Sequence, residues 1–204
     1  MSGFYARHIL PRCLDKVCAI GPIEKQRAKI VPFATGDVLE IGIGSGLNLP
    51  HYDPSQISSV TGVDPDVHIW VRSQSRREAA QFPIHRIGLS GEDIPLEADS
   101  MDTVVVTYSL CTIPDPIAAL KEMRRILKPD GDILFCEHGM APDTKVAKWQ
   151  RRIDPIWSKV AGGCQSGRYI PSLFKQAGLE TLELNQGYIP GPKVLSYNYW
   201  GRAQ

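Results

Sequence analysis

At 204 residues, with 43% hydrophobic residues, the chain has room for one full hydrophobic core and shows no need of a second domain. A formal net charge of +1 and only short arginine pairs, read as solvated helix faces, exclude an electrostatic footprint for nucleic acid. No apolar run approaches a membrane span, no signal-peptide pattern opens the sequence, and five cysteines without a Cys-x-x-Cys pair argue against disulfides or structural zinc. These features lead to the expectation of a cytoplasmic protein with no integral membrane segment and no metal, its oligomeric state open.

In chain order, Phe4 to Ile20 carries a mostly helical apolar spacing broken by Pro11, and Pro22 suits the first turn of a helix running to about Val31. This N-terminal part is expected either to cross the sheet's ligand edge as a lid or simply to pack there. Val38 to Ile41, interrupted only by Glu40, reads as a buried strand, after which Gly42, Gly44 and Gly46 turn the chain toward a helix. Glycine takes backbone angles other residues avoid and removes the Cβ that would block a ligand. Such a loop presses backbone against a bound molecule at the C-terminal edge of a sheet; a tight turn without a ligand is the plainer alternative. The dinucleotide fingerprint needs a small residue at position 47, which is Leu, and the third glycine falls one residue early.

Asn48, Pro50 and His51 make the first crossover helix short or irregular, and Ile57 to Val63 is the second strand. Asp64 follows it. A carboxylate at a strand tip accepts hydrogen bonds from both ribose hydroxyls, each worth about 1.5–3 kcal/mol. Asp66, just before helical residues, is the better helix cap. Then come a helix from Val67 to about Gln81, a strand from Ile84 to Leu89, and the β-branched central strand Met101 to Val106. A helix from Pro114 to near Leu127 stops at the turn Lys128-Pro129-Asp130-Gly131, and Asp132 to Glu137 is the fifth strand. This alternation implies a parallel sheet with right-handed crossovers. Beyond it lie a helix from Thr144 to Val160, a Gly162-Gly163-Cys164 break and a helix from Ile170 to Ala177. Leu179 to Leu184 and Val194 to Trp200 read as a closing antiparallel pair.

Four stations agree in order and spacing: Glu40-x-Gly42-x-Gly44-x-Gly46, Asp64, Gly91-Glu92 before Ile94-Pro95-Leu96, and Leu127 to Gly131. Together they resemble the class I S-adenosylmethionine-dependent methyltransferases, in the branch with the methyltransferase type 11 domain, over roughly residues 35–140. The resemblance implies an α/β, Rossmann-like fold: a seven-stranded, mostly parallel sheet with an antiparallel last strand and helices on both faces. It implies one domain, with an N-terminal helical segment (1–34), a cofactor-binding core (35–140) and acceptor-side helices and closing strands (141–204). It implies S-adenosylmethionine as cofactor, with Gly42, Gly44 and Gly46 at its methionine part and Glu40 supporting that end. Asp64 would hold the ribose, Gly91 and Glu92 would flank the adenine, and Thr107 would touch the cofactor after strand four. Ser90 stands where many relatives have Asp, and Asp102 is structural.

Leu110-Cys111, Glu137-His138, Trp149-Gln150, Asp154-Pro155, Trp157, Gly163-Cys164 and Arg168 resemble a narrower group, the alkyl thiol methyltransferases called methyltransferase-like family seven. The stretch from Gly162 to Gly167 departs from that pattern, and the hydrophobic N-terminal anchor of that group is not seen. A sulfonium methyl is already activated, so catalysis mainly requires holding a nucleophile in line at about 3–3.5 Å. Of a thiol, whose free pKa is about 8.5, only the thiolate reacts well. His138, just past strand five, is the candidate base, against the alternative of a histidine merely hydrogen-bonded in its loop. Asp154 orients a base or caps local structure. Trp149 and Trp157 wall a pocket or pack on the sheet, and Arg168 binds an acidic group or pairs with a surface acid. The expected function is methyl transfer from S-adenosylmethionine to a small-molecule acceptor, a thiol first and a lipid or quinone-like molecule second. Cys111 and Cys164 leave arsenite open, with Cys136 facing the interior. A nicotinamide-dependent oxidoreductase, against which Leu47 counts, and a binding module without catalysis are the alternatives from other classes.

Overall fold

The computed structural model describes residues 3–204, so Met1 and Ser2 of the expected N-terminal segment lie outside the described residues. Strands β1 (Gly36–Ile41), β2 (Ile57–Val63), β3 (Ile84–Ile87), β4 (Met101–Thr107) and β5 (Leu127–His138) run parallel. The closing pair is β6 (Thr181–Tyr188) and β7 (Tyr197–Ala203), with β7 antiparallel to both β5 and β6. One sheet results, in the order β3-β2-β1-β4-β5-β7-β6.

Alternate side chains of a strand leave opposite faces, and here both faces are covered. Val104, Val106, Ile133 and Phe135 pack on one side with residues of α5 (Pro116–Ile126) and α7 (Ile170–Gln176). Val105, Leu134 and Cys136 pack on the other with Ile30, the last residue of α2 (Gly21–Ile30). Double burial is why β4 reads as a continuous β-branched run instead of an apolar–polar alternation. Its reversal from β4 to β1 opens a crevice at the strands' C-terminal ends, the ordinary ligand position of such sheets.

Three local readings differ from the structure. The helix expected over 67–81 is broken into α3 (Val67–Trp70) and α4 (Gln74–Ala79) by a tighter turn at Val71–Ser73. There the buried Ser73 hydroxyl donates to the Trp70 carbonyl at 2.7 Å, competing with the helix ladder. The turn at Lys128 to Gly131 becomes a bulge inside β5: Met101 pairs with Leu127 and Thr103 with Asp132, leaving Asp102 alone opposite the intervening residues. Lys128 Nζ closes that bulge on Asp102 Oδ1 at 2.6 Å. The closing strands begin later than their apolar runs, because Tyr197 and Tyr199, not Val194, supply the buried face of β7. Elsewhere α6 (Thr144–Val160) keeps its expected bounds through Pro155. The helix α1 (Leu10–Cys18) continues directly from a π-helical turn at Tyr5–Ile9, and the wider turn just before Pro11 falls where proline interrupts the regular hydrogen-bond ladder.

Phe174 is fully buried, its ring centroid 4.6 Å from that of Phe135. Phe174→Ala is expected to cost about 3–5 kcal/mol in denaturant unfolding. Phe33→Ala, at a position 72% exposed, is expected to stay within about 0.5 kcal/mol.

Candidate active site

The glycine loop leaves β1 with Gly42 at φ +72° and Gly44 at φ +49°, angles that side-chain-bearing residues rarely hold. A Cβ added at Gly42 would stand 2.0 Å from Ser109 Oγ, so the loop packs directly against the segment after β4. Across the loop, Asp64 Oδ2 accepts from Gly44 N at 3.0 Å and Asp64 Oδ1 accepts from Asp66 N at 2.8 Å. Asp66 in turn caps α3, accepting from His68 N at 2.8 Å. Burial pushes the Asp64 carboxyl above its usual range.

These segments bound a cavity of about 400 Å³ at the C-terminal ends of β1, β2 and β4. Glu40, Gly42, Gly44, Asp64, Gly91 and Thr107 all line it. Four other sequence candidates do not stand on its wall. Gly46 lies behind the loop, where an added Cβ would meet Leu49 at 2.8 Å and Ser73 at 3.2 Å; its use is close packing. Glu92 accepts from Asp115 N at 3.2 Å and from the Ser90 hydroxyl, so it ties the loop before α5. Asp154 accepts from Ser166 N, Ser166 Oγ and Gly167 N, each at 2.9 Å, so it organises the loop after α6. His138 lies behind the Tyr108 ring, the two stacked with centroids 6.3 Å apart.

The floor is a buried polar network. Asn48 Nδ2 donates to Glu40 Oε1 at 3.0 Å and the Tyr52 hydroxyl donates to Glu40 Oε2 at 2.8 Å. Arg27 Nη1 donates to Asn48 Oδ1 and to Thr107 Oγ1, both at 2.7 Å. Desolvation lifts the Glu40 pKa to about 7, against the opposing pull of Tyr52, Arg27 and Asn48. Arg27, 5% exposed, brings a cation to the cavity wall from α2; nothing in its own helical stretch marks it. Tyr108 also escaped notice in the sequence. It holds φ +53°, a strained angle for an aromatic residue, fixed by its amide on Cys136 O at 2.9 Å and its hydroxyl on Asn198 Oδ1 at 2.7 Å.

Past Tyr108 the chain turns on Glu137, whose Oε1 accepts from Ser109 N at 2.7 Å and Leu110 N at 3.1 Å, and burial raises this carboxyl to about 7. His138 Nε2 lies 3.3 Å from Cys164 Sγ. Burial works against the charged form of His138, but the Cys164 thiol beside it raises its pKa overall. Hydrogen bonding from Cys111, then from His138, lowers that of Cys164. Arg168 donates to the carbonyls of Leu110 and, at 2.6 Å, Ile113, so it clamps a loop rather than meeting an acid. Trp149 is 58% exposed and walls nothing, while Trp157 is partly buried.

Helix α1 roofs the cavity through Leu10, Leu14, Asp15 and Cys18. Asp15 pairs with Arg72 at 2.8 Å and Arg76 at 3.3 Å, and Arg76 Nη1 reaches on to Ser45 O at 2.9 Å. The roof is thereby latched to the glycine loop. No helix among the described residues is long and apolar enough to cross a membrane.

The two raised carboxyls set a pH dependence. Both Glu40 and Glu137 rise from 4.5 to about 7 on folding, so between those values the folded chain holds more protons than the unfolded one. Their contribution to stability therefore falls as pH rises through that window. Thermal melts at a series of pH values are expected to show this decline, and Glu40→Gln to flatten part of it.

Residues 5–184 match the family described as a methyltransferase domain. The human thiol S-methyltransferase TMT1B is 37% identical over 137 residues, 64% of this chain and 55% of its own length. Human TMT1A is 31% identical over 158 residues, 75% of this chain and 64% of its own length. The ubiquinone/menaquinone biosynthesis C-methyltransferase UbiE of Geotalea daltonii is 31% identical over 115 residues, 53% of this chain and 48% of its own length. The chain thus spans little more than half the length of the curated relatives it matches first. Among solved structures, a SAM-dependent methyltransferase from Leishmania major superposes with a TM-score of 0.71 at 15% identity, covering 98% of this chain and 80% of that one. One from Aquifex aeolicus gives 0.66 at 14% identity, covering 95% and 97%. With its Rossmann-like sheet and a family match across most of its length, the chain belongs to the methyltransferase-domain family.

Proposed function

We propose that this chain transfers the methyl group of S-adenosylmethionine to a small-molecule thiol. The observation that carries the reading is the distribution of charge along the glycine wall. Asp64 stands at one end, and the buried Glu40 and Arg27 share the other. A nucleoside joined to an amino acid through sulfur fits that order: the ribose hydroxyls on Asp64, the ammonium toward Glu40 and the carboxylate toward Arg27. The bare backbone of Gly42 and Gly44 lets it lie close, and Gly91 and Ile69 flank the position of the base. When bound, the cofactor supplies an electrophilic methyl on a sulfonium.

The chain's own part is positioning and exclusion of water. Leu10, Leu14, Ile113 and Pro114 give the remaining wall an apolar character, suited to a small lipophilic thiol held in line with the methyl. Both catalytic candidates act from behind that wall in this reading, Asp154 by fixing the 166–167 loop and His138 through Cys164. The thiol acceptor is supported by the relatives named thiol S-methyltransferases. The same apolar wall favours a lipid or quinone-like acceptor as the second reading. A cytoplasmic setting, which keeps thiols reduced, suits five free cysteines.

Asp64→Ala is expected to weaken binding of S-adenosylhomocysteine about tenfold to a hundredfold by calorimetry, the loss of one charge-assisted hydrogen bond or more. An unchanged affinity would remove the ribose assignment, and tighter binding of NADH than of S-adenosylhomocysteine would end the cofactor reading. With labelled methyl donor, transfer is expected to alkyl thiols, and His138→Ala is expected to lower turnover while sparing cofactor affinity. Transfer to quinols or lipids alone would replace the acceptor.

A further inference from the structure

Cys111, His138 and Cys164 come from three separate stretches: the loop after β4, the end of β5 and the loop after α6. One donor atom from each lies within 4.8 Å of the other two, and Cys164 Sγ is 3.3 Å from His138 Nε2. The sequence reading found no ligand cluster because none of the three is near another along the chain. None lines the cavity, and methyl transfer as derived above does not use both thiols.

The backbone around them is held for close approach. Gln165 N donates to Cys111 O at 2.9 Å, tying the two cysteine loops together directly. Gly163, at φ +94°, lies so near the neighbouring loop that an added Cβ would sit 3.3 Å from Thr112 O. Asp154 fixes Ser166 and Gly167 on one side, and Arg168 binds the Leu110 and Ile113 carbonyls on the other. Around this corner the polar accounting is incomplete. Glu137 Oε2, His138 Nδ1 and Trp157 Nε1 are buried without hydrogen-bond partners. Buried polar atoms are rarely left so, and a bound water or ion is an ordinary way of satisfying them.

We propose that Cys111, His138 and Cys164 bind a single thiophilic divalent cation, zinc being the ion their donor set fits. Zinc binds sulfur at about 2.3 Å and imidazole nitrogen at about 2.0–2.1 Å, which spaces tetrahedral ligand atoms about 3.5–3.8 Å apart. The separations in the cluster, 3.3 Å for Cys164 to His138 and no more than 4.8 Å for any pair, bracket that spacing. Two thiolates and a neutral imidazole balance a divalent charge, and soft sulfur donors select zinc over magnesium or calcium. Three protein ligands leave a coordination position open, the arrangement of a catalytic rather than a structural zinc site. Thr112 and Gly162, each next to a ligand-bearing stretch, line the cavity, so the cluster stands about one residue behind the acceptor end. A thiol reaching the open position would release its proton to solvent and bind as thiolate. That last step rests on the thiol reading above; the cation site does not.

The test loads the full chain, purified under reductant and stripped with chelator, with cobalt(II) and then zinc(II). Stoichiometric cobalt with a thiolate-to-cobalt charge-transfer band is expected, and zinc should displace it. Cys111→Ser and Cys164→Ser should each lose the band and weaken zinc binding at least a hundredfold, while Cys13→Ser, at an exposed cysteine, should keep both. Far-ultraviolet circular dichroism shows whether each variant is folded, and His138→Gln, which leaves both thiols in place, supplies a further ligand deletion. No band in the parent protein, or the same band in both thiol variants, would overturn the assignment. Metal bound without methyl transfer would sink the reading of the cavity alone; transfer with no metal bound would sink the cation site alone.

Discussion

The cavity depends on one buried network in which a carboxylate and a guanidinium face each other through neutral groups. Glu40 belongs to β1, Arg27 to α2, Thr107 to β4, and Asn48 and Tyr52 to the crossover between β1 and β2. Each hydrogen bond joins two separate parts of the fold, so the floor is assembled only when all are in place. Removing one charge would strand the other in a low-dielectric interior, a loss of about 3–5 kcal/mol in comparable buried pairs. The network also explains why a carboxylate tolerates complete burial beside a glycine loop: both its oxygens have donors.

Above that floor, the glycine loop gives one wall of the cavity as backbone. Gly42 and Gly44 present bare backbone whose amides are held by Val63 O and Asp64 Oδ2, while side chains supply the roof and the acceptor end. The roof is an N-terminal helix held by the Asp15 pairs with Arg72 and Arg76. Arg72 belongs to the turn before α4 and Arg76 to α4 itself, and that turn packs under Gly46 through Ser73, so roof and loop share one mechanical link. A methyl-transfer site of this kind needs little acid–base machinery: the charged groups on the wall, Glu40, Arg27 and Asp64, are placed to bind, while His138 and Asp154 lie off it.

The corner made by Cys111, His138 and Cys164 is organised on a different principle. Here side chains from distant loops converge because β5 sits between β4 and β7, which brings the ends of β4 and β5 side by side. Tyr108 lines the cavity beside this corner, its ring stacked on His138 and its backbone held at a strained angle by contacts to Cys136 and Asn198. Strain of that kind persists only where surrounding contacts over-determine it. The strained residue thus links the cavity wall, which it lines, to the cysteine–histidine cluster.

Sequence alone was enough for whatever depends on neighbours along the chain. The alternation of strands and helices, the glycine loop after β1, Asp64 at the tip of β2 and Asp66 as a helix cap are local patterns read in order. The bulge at Lys128 to Gly131 was legible as a break but not as part of a strand, because Asp102 on another strand decides it. Tertiary structure alone decided which polar residues face the cavity. Arg27 reached its wall from a helix with no motif, Glu92 and Asp154 were drawn off to hold loops, and His138 was paired with a thiol far from it in the chain. Spacing along a chain constrains only residues within a turn or a strand of one another; across a sheet, strand order sets the distances.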